Sequence, residues 1–379
     1  MRRIHRKTRN GCKQCKSRRV KCDEKRPVCT GCIRNDLSCS LEFLTPSFTV
    51  PRALQPSLPV RTPLAKNDLG LKITLLDDSQ EELLHHYTTT TSLTFFGRGI
   101  NSPHHHIRIW QNDMPQMALS QEFLMQGILA VSALHLSTLQ PHCKDERLQQ
   151  ALRSEQLAIR PFRELVLKGK DDDIHAVFAF AGFVVTYVLV QSESLDSPSD
   201  CIPSLNGERL HWFHIVRGLV KLLEKNWVQL SQGPFGPLIT RFPDPIEFSW
   251  NPDDTHLARL HEIFPDPCSD DDEDISIYKQ TIDELRRASA LSYRKNGILN
   301  DVAVTYIWPG AIQQRFLELL HDKQPEALVI LAHYCVLLKR VDYCWPFRGV
   351  GEKMLRSIVK ELSLVWKPWI EWALTQPVV

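Results

Sequence analysis

No apolar run in the 379-residue chain is expected to cross a bilayer. The longest, Ala176 to Val190, has fifteen residues and includes Gly182, Thr186 and Tyr187, whereas a spanning helix needs about 20. This stretch is expected to be a buried core helix. The amino terminus, Met1-Arg2-Arg3-Ile4-His5-Arg6-Lys7, has no apolar segment behind its charges, so it does not read as a secretory signal. A soluble intracellular protein is therefore expected. Catalytic signatures are missing too: there is no GxSxG, HExxH or P-loop, and Gly97-Arg98-Gly99 lacks the third glycine of a dinucleotide fingerprint. No enzymatic activity is expected.

The first forty residues are poor in acids and in apolar side chains. They hold 13 Lys and Arg against 3 Asp and Glu, a net of +10, while the rest of the chain carries 33 against 41, a net of −8. A small basic segment thus precedes a large, mildly acidic one. Hydrophobic residues make up 43% of the chain and charged residues 24%, which is globular composition and excludes a disordered or collagen-like chain.

Cysteine is just as uneven. Six of eleven fall at Cys12, Cys15, Cys22, Cys29, Cys32 and Cys39, spaced C-x2-C-x6-C-x6-C-x2-C-x6-C. Cys12, Cys15 and Cys22 recur after a shift of 17 as Cys29, Cys32 and Cys39. With no secretion signal, such a cluster reads as a metal site before it reads as disulfides. A mononuclear finger with spare thiols would ignore the repeat. Structural zinc takes four tetrahedral ligands. Six thiolates serve two Zn²⁺ ions if one thiolate from each half-repeat bridges both. Only Val20, Val28, Ile33 and Leu37 could form an apolar core here, so folding of this segment must come mainly from metal.

The half-repeats differ in charge. The first reads Lys16-Ser17-Arg18-Arg19-Val20-Lys21 and the second Ile33-Arg34-Asn35-Asp36-Leu37-Ser38. A short basic helix is expected in the first, with Lys16, Arg18, Arg19 and Lys21 presented to a DNA major groove. The leading arm, with Arg2, Arg3, Arg6, Lys7 and Arg9, suits phosphate contacts and nuclear import.

This cysteine spacing, the basic run and Pro27 two residues before Cys29 resemble the fungal Zn2Cys6 binuclear-cluster transcription factors. The resemblance implies Cys12 and Cys29 as bridging ligands, with Cys15 and Cys22 completing one zinc and Cys32 and Cys39 the other. It places Arg18 and Arg19 at groove-facing positions and implies CGG-like sites. Arg19 stands where that family usually has lysine, and Arg still reads guanine through O6 and N7.

Residues 41–70 contain Pro46, Pro51, Pro56, Pro59 and Pro63, which excludes a continuous helix and reads as an extended linker. No heptad coiled coil follows the basic segment directly. From residue 71 the pattern is helical, and a single all-α domain over 71–379 is expected. Ser79-Gln80-Glu81-Glu82 reads as a helix opening. Apolar stripes run through Leu119–Leu139, Leu210–Trp227 and Leu328–Leu338. Glu82 to Thr91, Leu124 to Leu136, Leu331-Ala332-His333-Tyr334 and Trp366-Lys367-Pro368-Trp369-Ile370 resemble the regulatory domain of the sterol-uptake-control type. In that type the helical domain sometimes binds a small hydrophobic effector.

Blander readings apply to the other candidates. His104-His105-His106 reads as an exposed loop, and His85, His86 and His333 as packed or capping side chains. Cys143, Cys201, Cys268, Cys335 and Cys344 read as structural thiols. The run Asp270-Asp271-Asp272-Glu273-Asp274 reads as a solvated loop before it reads as a contact for transcription machinery. Trp366, Trp369 and Trp372 read as packing.

The whole reads as a zinc-dependent, sequence-specific DNA-binding regulator of transcription by RNA polymerase II, acting in the nucleus. It has a DNA-binding module over 1–40, the linker 41–70 and the regulatory body 71–379. The alternative is a ligand-binding or enzymatic body tethered to chromatin by its zinc cluster.

Overall fold

A computed structural model describes residues 76–95, 107–168, 174–193, 211–241, 245–264, 273–293 and 301–379 of the body. It also describes residues 15, 17, 18, 20, 22, 23, 30–35 and 44–46 of the amino-terminal part. The body is helical, as its periodicity predicts. Helix α1 (Thr30–Ile33) lies in the cysteine-rich segment. The body begins with α2 (Asp78–Thr89), α3 (Met114–Ala118), α4 (Glu122–Leu139), α5 (Lys144–Lys168) and α6 (Ile174–Glu193). It continues with α7 (His211–Lys225), α8 (Trp227–Gln232), α9 (Asp254–Ala258) and α10 (Glu273–Ser292). It closes with α11 (Asp301–Ala311), α12 (Gln314–His321), α13 (Pro325–Arg340), α14 (Val350–Glu361) and α15 (Lys367–Thr375).

One short strand pair accompanies the helices. Leu44–Pro46 (β1) runs antiparallel to Ile239–Arg241 (β2), with Leu44 opposite Arg241 and Pro46 opposite Ile239. Pro46 ends its strand, where a missing N–H does least harm. The expected linker therefore includes three residues that pair with the body.

Helix α2 starts earlier than the Ser79 opening predicts. Asp77 is the cap: its carboxylate accepts the Gln80 amide at 2.8 Å, and the Gln80 side chain accepts the Asp77 amide at 3.2 Å. This reciprocal box satisfies two orphan donors. Arg147 of α5 then clasps Glu82 of α2 through two N–H···O bonds of 2.7 and 3.2 Å.

Helix α4 is apolar on nearly every side because it is the central rod of its half. It packs on α2, α5 and α6, and Phe123 to Ser137 are buried throughout. By length and composition it could cross a membrane, but it is enclosed by the body. A small residue lets α4 and α6 approach. At Gly127 a Cβ would stand 2.7 Å from Phe180 Cδ2, too close for any larger residue. The 176–190 stretch is the core helix α6, as expected. In the second half α13 is the central rod, packed on α10, α14 and α15. Trp308 and Tyr334 stack there with ring centroids 4.5 Å apart, and the Tyr334 hydroxyl donates to the Thr305 carbonyl at 2.6 Å. One continuous apolar core joins both halves.

Candidate nucleic-acid interface and body cavities

The cysteine-rich segment has little with which to fold. Among its described residues Val20 is about half exposed, yet Cys15, Cys22 and Cys32 are at most 2% exposed. None of the three belongs to the apolar core of the body. Buried cysteine sulfur outside the apolar core fits a soft-metal donor set better than a hydrophobic role. Cys12, Cys29 and Cys39, the other expected ligands, lie outside the described residues. Among the described residues alone no three donors gather into a metal site.

The two half-repeats touch through polar contacts. The Asp23 carboxylate accepts the Thr30 amide at 3.0 and 3.3 Å, satisfying a donor at the start of α1. Arg18 Nη1 donates to the Gly31 carbonyl at 3.5 Å, and Asn35 Nδ2 donates to the same oxygen at 2.8 Å. Arg18 and Asn35 are themselves related by the shift of 17, so equivalent positions of the repeat converge on one carbonyl. Backbone bonds from Val20 to Cys15 and from Asn35 to Cys32, both 3.1 Å, close the turn after each cysteine. Residues 15 and 17 are helical and 18 is in a turn, which agrees with a short helix in the basic run. Arg18 is exposed. Lys16, Arg19, Lys21, Arg6, Lys7 and Arg9, together with Arg2 and Arg3, lie outside the described residues. Asp23 was not foreseen: its partner is seven residues away, and no local pattern marks a cap at that distance.

In the body, the sequence candidates separate. His104-His105-His106, Gly97-Arg98-Gly99, Cys201, Cys268 and Asp270 to Asp272 lie outside the described residues. Cys335 and Cys344 are buried. Burial pushes the Cys344 thiol up to about 12 and the Cys335 thiol well above its usual range, so both are inert structural thiols. His86 packs 5.3 Å from His135, and His135 stacks on Trp345 at 4.8 Å and bonds Thr91 Oγ1 through Nδ1 at 3.0 Å. Burial, the neighbouring His86 and Arg348 lower the His135 pKa to about 4.

An apolar cavity of about 90 Å³ lies between α6, α7, α11 and the turn Trp345–Phe347. Phe95, Trp110, Phe183, Phe235 and Tyr306 form much of its wall, and Gly182 opens onto free space, with nothing within 4 Å of where a Cβ would stand. The buried Trp110 Nε1 has no hydrogen-bond partner among the described residues. Burial raises the Tyr306 phenol well above its usual range, keeping it a hydrogen-bond donor.

Three buried cysteines in a basic segment, ahead of a helical body, are compatible with a metal-organised DNA-binding regulator. The comparisons agree and are more specific. Residues 10–45 match the fungal Zn(2)-Cys(6) binuclear cluster domain, and residues 82–194 match the fungal specific transcription factor domain. The chain therefore has the domain make-up of the fungal zinc-cluster transcription factors: a cluster domain that binds two zinc ions, a helical regulatory domain, and a role in DNA-binding transcription regulation. A Zn(2)-C6 fungal-type transcription factor of Gibberella zeae is 26% identical over 98% of this chain and 86% of its own length. The Zn(2)-C6 fungal-type transcription factor afumD of Aspergillus fumigatus is 27% identical over 88% of this chain and 85% of its own. Sterol uptake control protein 2 of Candida albicans is 25% identical over 68% of this chain and 37% of its own length.

Proposed function

We propose that Cys12, Cys15, Cys22, Cys29, Cys32 and Cys39 hold the two zinc ions, and that the basic run of the first half-repeat reads duplex DNA in the major groove. The observation that carries this is the burial of Cys15, Cys22 and Cys32, none of which belongs to the apolar core of the body, in a segment with a net charge of +10. The bound ions would supply the fold of this segment. Arg18 and Arg19 read guanine in CGG-like sites; Lys16 and Lys21 flank them. Arg6, Lys7 and Arg9 contact phosphates. The chain acts in the nucleus. Residues 1–40 are the DNA-binding module, 41–70 the connecting segment and 71–379 the regulatory body.

The body carries no catalytic role in this reading; it responds to partners and to a small apolar effector. The cavity over Gly182 supports such an effector, because it is apolar and is lined by aromatic side chains that include Trp110 and Tyr306. At about 90 Å³ it is smaller than the roughly 300 Å³ at the lower end of drug-sized sites. An effector therefore inserts one end or moves side chains.

Selection of DNA sites in vitro with the full-length protein tests the reading. The expected outcome is a guanine-containing triplet, single or paired, with affinity falling steeply as salt rises. Salt-dependent binding with no enriched sequence would leave only the tethering alternative, and turnover of a metabolite by the body would favour it.

A further inference from the structure

A second pocket, of about 320 Å³, lies between α15 and the segment 256–260 and shares no lining residue with the apolar cavity. Its wall is aromatic. The Trp372 indole lies near-parallel to two imidazoles, His256 with centroids 5.0 Å apart at 12° and His333 at 5.5 Å and 18°. The Arg259 guanidinium sits 5.1 Å over the Trp369 ring. Glu371 and Thr375 complete the rim on the α15 side.

His333 gives the pocket its chemistry. It is 3% exposed and lines the pocket floor. Its Nδ1 lies 2.9 Å from the Val329 carbonyl, which can only accept, so Nδ1 carries the proton. Burial lowers its pKa to about 4, so the ring is neutral at physiological pH. Nε2 is then a bare lone pair, with no partner among the described residues. An acceptor on a side chain that lines a pocket is open to a donor from the occupant. The rim is mixed in sign: Arg259 is more than half exposed and only loosely paired with Glu262 at 3.9 Å, and Glu371 is exposed on the facing helix.

We propose that this pocket binds a free aromatic amino acid whose ring bears an O–H or N–H. The ring lies among the aromatic walls and donates to His333 Nε2. The α-carboxylate meets Arg259 and the α-ammonium meets Glu371. Tyrosine and tryptophan have all three features. Phenylalanine lacks the ring donor, and an aromatic side chain within a peptide lacks the charges.

Calorimetric titration of the full-length protein with tyrosine, tryptophan, phenylalanine and N-acetyl-tyrosinamide tests the assignment. Tyrosine or tryptophan is expected to bind at least tenfold more tightly than phenylalanine and than the blocked derivative. Arg259→Gln, at an exposed position, is expected to weaken binding about tenfold with helix content unchanged, and His333→Phe to abolish the preference over phenylalanine. Absence of binding by tyrosine and tryptophan up to their solubility limits would overturn the proposal. So would equal affinity for phenylalanine, or full affinity in Arg259→Gln. Equal affinity for N-acetyl-tyrosinamide would overturn it in favour of a peptide partner. None of these outcomes depends on DNA binding, so the test stands apart from the function proposed above.

Discussion

The carboxylate of Asp23 holds the amide of Thr30 at 3.0 and 3.3 Å, tying the end of the first half-repeat to the helix that opens the second. The two residues are seven apart, and each half is too small to fold by apolar burial. A single cap at such a place is worth about 1 kcal/mol. Asp23→Ala is expected to lower the chelator concentration that unfolds the cysteine-rich segment and to weaken DNA binding several-fold. Asp23→Asn, which keeps an acceptor, should recover most of the loss. Identical chelator sensitivity in all three proteins would show that the contact contributes nothing.

Removing zinc should separate the two parts of the molecule. The body has one continuous apolar core, and Cys15, Cys22 and Cys32 are not part of it. Chelation is expected to abolish DNA binding and the dispersed NMR signals of the 10–40 segment while the helical circular dichroism of the body persists. Elemental analysis should return two zinc atoms per chain before chelation.

Arg19→Ala is expected to cost about 1–3 kcal/mol on a guanine-containing site and to relax specificity at that position. Binding to selected and to scrambled duplexes measures this. Equal losses on both would move Arg19 among the phosphate contacts.

Two glycines in neighbouring helices should respond oppositely to the same substitution. At Gly127 a Cβ would lie 2.7 and 2.9 Å from atoms of the Phe180 ring, which is itself held against Phe123 and Phe162 at 5.6 and 4.8 Å. Gly127→Ala is expected to destabilise the body by about 1–3 kcal/mol through overpacking. At Gly182 there is open space, so Gly182→Ala should gain about 0.5–1 kcal/mol from helix propensity alone. Thermal unfolding of the two variants reads the contrast directly.

Acid should weaken the body before its carboxylates titrate. His135 and His333 are held to about 4 in the fold against 6.5 when unfolded. The unfolded chain therefore binds more protons between those values, and stability falls as pH drops through that window. It is fully present above about pH 6.5 and lost by about pH 4, at up to about 3 kcal/mol for each histidine. Denaturant unfolding at pH 7, 5.5 and 4.5 should show the decline. A His135→Phe variant should show a shallower one. A flat profile across this window would mean the imidazoles titrate freely.

How much could be read without coordinates follows from the range of the interactions concerned. Thiolate spacing, the shift of 17 and the basic run lie within forty residues. Metal coordination by so short a segment leaves few arrangements, so the zinc cluster and its DNA role were legible from residue order. The helical body was legible as well, because apolar periodicity is a local property of α4, α7 and α13. Other features exist only once the helices pack. Gly127 is required because α4 meets α6 at Phe180. Leu44–Pro46 pairs with residues almost two hundred positions away. His333, one of several packed histidines by sequence, lines a pocket only because Trp372 of α15 packs against it. Residue order determined which groups the chain carries. Tertiary packing decided which of them are left buried with bonding capacity unspent, because desolvation and partner geometry arise only between segments distant in sequence.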